Sequence, residues 1–358
     1  MKLHSAMNAS IKNMAVTALR FFARNRTEFQ FVTKLVPALR AGAKRRNKSE
    51  KSGVHIPPFL IASVSSQCNL RCAGCYARAG GSCGDEKSDD ELTTKRWGEL
   101  FTQAEELGIS FILLAGGEPL MRRDLLSEAA AHSKIIFPVF TNGTLIDDAY
   151  FELFDSHRNI VPVVSIEGDD AVTDARRGQG VAIGLRRAIS GLHARDIPFG
   201  ASVTVTGENL EAVTSPRFVA ELQESACRIV FFVEYVPVDE ISVGLVLSEA
   251  QREELARRVS ALKAGCKDVA FISFPGDEKE LGGCLAAGRG FFHINANGNA
   301  EPCPFSPYSD INLKEHGLLE AINSPLFARV RAQDILSAEH SGGCVLFENR
   351  DIVSTLAE

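Results

Sequence analysis

Three thiols fall within eight residues, Cys68, Cys72 and Cys75, at the spacing C-x3-C-x2-C. A run this short can fold round one point. Two thiols would make a redox pair or half a zinc site, whereas three with no fourth close by suit a metal centre that keeps one coordination position open. Iron–sulfur clusters are held by thiolates in such runs, and a cubane has four corners to ligate. A corner left without a protein ligand is where a substrate or cofactor can bind iron. A structural zinc site completed by a distant ligand is the alternative reading of the loop alone.

A sparser set lies downstream. Cys284 is followed after thirteen residues by Gly298 and after four more by Cys303, and Cys344 is the last cysteine of the chain. Residues 291–299 read as a β-hairpin turning at Asn297-Gly298, which brings Cys284 and Cys303 together at its base. Three thiols allow one further cluster, with Cys266 or a non-protein group as the fourth ligand, and are too few for two. A metal-free hairpin and a zinc site are the alternatives. Cys83 reads as a partly buried free thiol, Cys227 and Cys266 as core or linker, and His293, among aromatic residues, as packing. Glu234 and Tyr235 at a strand end, and Asp277-Glu278 ahead of Cys284, could accept a proton or relay a hydrogen atom. Glu234, Tyr235 and Asp277 are the catalytic candidates.

Such groups need a scaffold to position them. From residue 59 the chain alternates short apolar runs rich in β-formers with amphipathic stretches. Strands are expected over 59–65, 109–114, 135–140, 160–166, 197–206 and 228–236, and helices over 89–107, 122–133, 147–154, 181–193 and 218–225. Alternation of this kind builds a parallel sheet. Curled into an arc, the sheet becomes a partial (β/α)6 TIM-like barrel, whose chemistry sits at the C-terminal ends of its strands. The candidate groups fall there. The cysteine loop follows the first strand, Gly116-Gly117-Glu118-Pro119 the second and Thr141-Asn142-Gly143 the third, while Ser165 and Glu167 end the fourth.

In that order, Cys68-Asn69-Leu70-Arg71-Cys72-Ala73-Gly74-Cys75-Tyr76, the GGEP tetrapeptide, Ser165-Ile166-Glu167-Gly168 and Arg177-Gly178 resemble the radical S-adenosylmethionine (radical SAM) enzymes. The likeness covers roughly residues 57–345. It implies a [4Fe–4S] cluster on Cys68, Cys72 and Cys75, with the remaining iron chelating the amino and carboxylate groups of SAM. It assigns the methionine amino group to Gly116, Gly117 and Glu118, the ribose to Ser165 and Glu167, and the SAM carboxylate to Arg177, with Arg176 as the alternative. Many such loops carry an aromatic residue just before the third cysteine to pack on adenine. Here Gly74 stands there and Tyr76, a further candidate cofactor contact, follows the cysteine. Cys284, Gly298 and Cys303 resemble the opening of the SPASM and twitch extensions, which carry auxiliary iron–sulfur clusters. The dense cysteine run of a full SPASM pattern is missing, so the auxiliary set is Cys284, Cys303 and Cys344. The resemblance further implies a ferredoxin or flavodoxin as electron donor, reductive cleavage of SAM to a 5′-deoxyadenosyl radical, and abstraction of a substrate hydrogen atom in peptide or protein modification. The same chemistry on a membrane lipid or other small metabolite is the alternative; a non-catalytic iron–sulfur or zinc scaffold or sensor is the reading from another class.

The bulk properties agree with a large enzyme. A chain of 358 residues with 45% hydrophobic content can bury one big core and smaller pieces. The divisions expected are a basic amphipathic helical arm and linker over 1–53, the partial barrel over 54–245, and a linker helix with a small α+β extension over 246–358. Nine cysteines, clustered and odd in number, with no signal-peptide pattern, point to a reducing, cytoplasmic compartment. No apolar run is long enough to span a bilayer. The net charge of −6 hides an asymmetry: residues 1–53 carry twelve Lys and Arg against Glu28 and Glu50, so the arm stands at +10 and the rest at −16. An acidic body makes nucleic acid an unsuitable partner. Within the arm an amphipathic helix is expected over 10–23, then an apolar run over 29–39 broken at Pro37, a basic cluster at 44–48, and a flexible boundary over 47–53 before Pro57-Pro58. The arm either lies on the anionic inner face of the membrane or caps the main domain.

Overall fold

The computed structural model describes Leu3, Met7 and residues 26–237, 242–337 and 344–358. The amphipathic segment expected over 10–23 lies outside the described residues.

Each of the six expected strands forms, within two residues at its start and its end: β1 Phe59–Ser65, β2 Phe111–Gly116, β3 Phe137–Thr141, β4 Ile160–Ser165, β5 Phe199–Val205 and β6 Cys227–Glu234. A seventh, β7 Ala270–Phe274, joins β6 in parallel. The hairpin appears as β8 His293–Ile294 and β9 Ala300–Glu301, with β8 parallel to β1 and antiparallel to β9. The result is one sheet in the order β7-β6-β5-β4-β3-β2-β1-β8-β9. The parallel sheet therefore continues past residue 245, where the barrel was expected to end.

Ring contacts show that the sheet is curled. Two strands separate β3 from β6, which in a flat sheet would hold them roughly 14 Å apart. Yet the Phe140 and Phe231 rings lie 5.0 Å centroid to centroid. Their contact must cross the inside of an arc. Phe291, just before β8, touches Phe59 of β1 at 5.0 Å and Phe274 of β7 at 5.9 Å, so aromatic packing draws the two sides of the arc together.

Helices α1 Arg26–Lys51, α2 Thr94–Leu107, α3 Arg123–Ala131, α4 Asp148–Ser156, α5 Asp170–Arg177, α6 Val181–Ala194, α7 Pro216–Glu224 and α8 Glu249–Gly265 accompany the strands. α2 shows why they form where they do. Thr93 caps its first turn through Arg96 N–H, Gly108 ends it in a left-handed conformation, and Trp97, Leu100, Phe101 and Ala104 make its buried face.

The arm departs from expectation in two places. α1 runs through Pro37 without breaking and continues to Lys51 across the stretch expected to be flexible. The reason is its inner stripe: Val32, Leu35, Leu39, Gly42 and Arg46 recur every three or four residues and are buried, while Pro37 is exposed. Burial on both sides of the proline offsets the roughly 3 kcal/mol an interior proline costs. Arg46 is 1% exposed and donates to Gly108 O and to Ser110 Oγ (2.9 Å), so the described part of the arm is a cap fastened to the barrel.

Candidate active site

The cysteine loop is stitched to its surroundings mostly through backbone. Cys68 N–H donates to Gly84 O (2.9 Å), Ala73 N–H to Arg176 O (2.8 Å) and Glu118 N–H to Gln67 O (2.8 Å). Arg78 gathers the loop from below, donating to Leu70 O (2.9 Å) and Cys68 O (3.1 Å). Cys68, Cys72 and Cys75 are all half-buried and within electrostatic reach of one another. Burial pushes the Cys68 thiol up to about 11 and raises Cys72, where Arg177 and Arg176 oppose the shift. Cys83, expected as a free thiol, is free and lies within electrostatic reach of Cys75, the more acidic of that pair.

The GGEP motif is packed tightly against the protein itself. A Cβ on Gly117 would sit 2.1 Å from Gln67 O, and one on Gly116 2.5 Å from Ser65 O. Both glycines are required by the protein's own backbone under the cysteine loop. The Glu118 carboxylate is not presented to a ligand. It is fully buried, with Oε1 accepting from Leu120 N–H (3.0 Å) and Thr141 Oγ1 (2.7 Å) and Oε2 accepting from Asn142 N–H (2.8 Å). It locks the ends of β2 and β3 together. Asn142 Nδ2 reaches on to Asn69 Oδ1 (2.9 Å), tying the third strand end to the cysteine loop.

At the fourth strand end Ser165 is half-buried and Glu167 is buried. Glu167 Oε1 accepts from Arg176 Nη1 (2.5 Å) and Arg177 Nε (2.9 Å), whereas its Oε2 and Arg176 Nε are buried with no partner among the described residues. Unpaired buried polar atoms are costly, so a donor and an acceptor are wanted at this point beside Cys72. Both arginines face Glu167, and the geometry does not single out Arg177.

Tyr235 closes the site from the sixth strand. Its hydroxyl lies 2.2 Å from where a Gly74 Cβ would be and is a buried oxygen without a partner among the described residues. Glu234, its neighbour, is buried too; burial pushes its carboxyl up to about 7, with Arg252 and Lys279 opposing.

The second thiol group also assembles. Cys284, Cys303 and Cys344 lie within electrostatic reach of one another, and Cys284 also of Glu278. Burial raises Cys284 well above the usual thiol range. Cys266 does not join them: its Sγ lies on Gln223 Oε1 at 3.5 Å, beside α7. Asp277 is likewise turned away, paired with Lys263 at 2.7 Å and accepting from Ser273 N–H (3.0 Å). Its neighbour Glu278 points inward instead. Cys227 is buried in the core, as expected. Tyr76 joins the two groups: its ring packs on Phe305 at 4.7 Å, two residues beyond Cys303. Tyr76, expected as a cofactor contact, thus also meets the hairpin side. Among the described residues no three His, Cys, Asp or Glu side chains converge closely enough to hold a single metal ion.

One buried line was not foreseen. His293 accepts or donates at Ser63 Oγ through Nε2 (2.8 Å) and at Glu301 Oε2 through Nδ1 (2.6 Å), and Asn295 Nδ2 donates to Glu301 Oε1 (2.6 Å). His293 is thus a hydrogen-bonded bolt between β1 and the hairpin rather than plain packing. The signal was available: in a hairpin turning at Asn297-Gly298, His293 and Glu301 fall opposite each other.

Residues 62–215 match the family model of the Radical SAM superfamily. The chain carries a Radical SAM domain. Radical SAM relatives align along most of it. An AdoMet-dependent heme synthase of Methanosarcina barkeri (strain Fusaro / DSM 804) is 28% identical over 328 residues, covering 82% of this chain and 90% of the relative. A PqqA peptide cyclase of Granulibacter bethesdensis is 23% identical and covers 70% and 69%. The structure of Streptococcus suis SuiB bound to its precursor peptide SuiA superposes with a TM-score of 0.65 at 19% identity, over 82% of this chain and 71% of that one. The fold is therefore that of the radical SAM partial barrels, and the chain is an enzyme, its relatives being named as synthases and cyclases. The family implies SAM and a [4Fe–4S] cluster. No helix among the described residues is long and apolar enough to cross a membrane.

Proposed function

We propose that Cys68, Cys72 and Cys75 hold the [4Fe–4S] cluster and that SAM binds against it, within the ring of strand-end loops. The observation that carries this reading is the unsatisfied pair beside Cys72, Glu167 Oε2 and Arg176 Nε. A ribose hydroxyl can donate to the carboxylate and a SAM carboxylate can accept from either arginine, so both orphans find partners in one ligand. When bound, cluster and SAM supply a 5′-deoxyadenosyl radical that takes a hydrogen atom from substrate. The chain's own work is positional. Glu118 locks the β2 and β3 ends, Asn142 and Asn69 fix the loop's distance from them, and Tyr235 brings its ring to the place where Gly74 offers none. Phe140 and Phe231 keep the interior of the arc apolar, which shields a radical from water.

Cys284, Cys303 and Cys344 hold a second iron–sulfur cluster in this reading, within a C-terminal extension to the barrel. The substrate class is a peptide or protein side chain, in line with the PqqA peptide cyclases among the relatives. A second reading, an iron tetrapyrrole, is favoured by the breadth of the match to the heme synthase. A ferredoxin or flavodoxin supplies the electron in either case. The test is anaerobic reconstitution, reduction with dithionite, and assay of 5′-deoxyadenosine from SAM. Its formation, accelerated by iron coproporphyrin or by a candidate peptide, is the expected result and separates the two substrates. A reconstituted four-iron protein that cleaves no SAM would overturn the reading.

A further inference from the structure

The second thiol group contains a carboxylate that nothing so far explains. Glu278 sits on the 3-10 turn Gly276–Leu281 and is 6% exposed. The turn folds it back onto Cys284. Gly282 and Gly283 both take positive φ, Gly283 N–H donates to Glu278 O (3.1 Å), and a Cβ on Gly283 would meet Leu336 O at 2.3 Å. So held, the Glu278 side chain accepts from Leu285 N–H (3.0 Å) and lies within electrostatic reach of Cys284 and Cys344. The guanidinium nearby does not neutralise it: Arg289 donates to the carbonyls of Cys284 (2.5 Å) and Gly282 (3.0 Å).

A buried carboxylate beside two buried thiols and a partly buried one, with no salt bridge among the described residues, is an expensive arrangement for a charge unless a positive group sits between them. Iron is such a group. Cys266 is engaged elsewhere and Asp277 faces Lys263, so neither competes for the position. Resting on the reading that Cys284, Cys303 and Cys344 hold an auxiliary cluster, we propose that Glu278 is its fourth protein ligand, binding one iron through a carboxylate oxygen. That corner carries a hard oxygen where the other three carry soft sulfur, and the cluster is closed by protein on all sides.

The test uses the full chain with Cys68, Cys72 and Cys75 all changed to Ala, reconstituted anaerobically with 57Fe and sulfide, so that only the second group can bind iron. Iron and sulfide per chain, the Mössbauer spectrum and the EPR spectrum after reduction are compared for this parent and for added Glu278→Gln and Glu278→Cys. The expected result is a cubane in the parent with one iron site distinct from the rest. Glu278→Gln should lose or alter that site and shift the EPR signal. Glu278→Cys should restore a four-iron cluster in which the distinct site has merged with the others. A parent with no iron sinks the auxiliary-cluster reading and this proposal with it. A parent cluster whose spectra are unchanged in Glu278→Gln leaves the cluster standing and overturns the ligand. Loss in Glu278→Gln that Glu278→Cys does not repair also overturns it, since the carboxylate would then be supporting the turn rather than iron.

Discussion

The two thiol groups are built on opposite principles. Cys68, Cys72 and Cys75 come from one loop, lie half-exposed, and are held by hydrogen bonds from β2, β3 and α5. Cys284, Cys303 and Cys344 come from three separate segments of the extension, and Cys303 and Cys344 are buried in the main core. The first is local in sequence and open in space; the second is distant in sequence and closed. A site that must admit a ligand keeps its metal at a loop on the mouth of the barrel, whereas a site closed by protein can be placed in the core.

Variants at the thiols should separate the two groups most strongly. Cys72→Ala is expected to lower 5′-deoxyadenosine formation at least a hundredfold while keeping about half of the iron, that of the second cluster. Cys303→Ala should lose a similar share of iron yet still cleave SAM, with product formation gone. Equal loss of SAM cleavage in both would erase the distinction. Gly117→Ala comes next. Its Cβ would meet the Gln67 carbonyl at 2.1 Å and the Cys68 amide at 3.1 Å, so the cysteine loop should shift, lowering stability by about 1–3 kcal/mol and depleting iron from the first group alone; iron analysis and thermal unfolding read both effects. Arg46→Met touches neither group. It leaves Gly108 O without its donor, and a lower Tm, corresponding to roughly 1.5–3 kcal/mol, should accompany unchanged SAM cleavage.

The smallest effect is one of pH. The Glu234 carboxyl is pushed from 4.5 to about 7 by burial, so the folded state holds its proton more tightly than the unfolded chain does. Its contribution to stability is full below about 4.5 and is lost as pH rises through 7. Glu234→Gln should therefore raise Tm by a few degrees at pH 8.5 and leave it nearly unchanged at pH 5. A gain of the same size at both pH values would remove burial as the cause.

Much of the architecture was legible because strands and core helices carry period and composition. What escaped had weak or contrary local signals. β7, five residues long, looked like part of a linker because its partner β6 is more than thirty residues earlier in the chain. α5 is a polar surface helix with Thr173 as its buried residue, so no apolar stripe announced it. α1 crosses Pro37 because tertiary burial outweighs a local breaker. At the site, the strand-end places of the motifs were legible while the contacts of their side chains were not. Glu118 and Gly117 serve the protein's own backbone, and of the adjacent acids 277 and 278 the sequence favoured the one that faces solvent. On a 3-10 turn successive side chains point about 120° apart, so neighbours in sequence can face opposite environments, and only the fold says which goes inward.

The line from Ser63 through His293 to Glu301 fixes the hairpin to the same sheet that carries the cysteine loop. Because β8 pairs with β1, and the Tyr76 ring meets Phe305, the cysteine loop and the hairpin side are joined by packed contacts as well as by that line. An electron passing between clusters at the two proposed positions would cross a span set by this packing, leaving driving force and reorganisation energy to tune its rate.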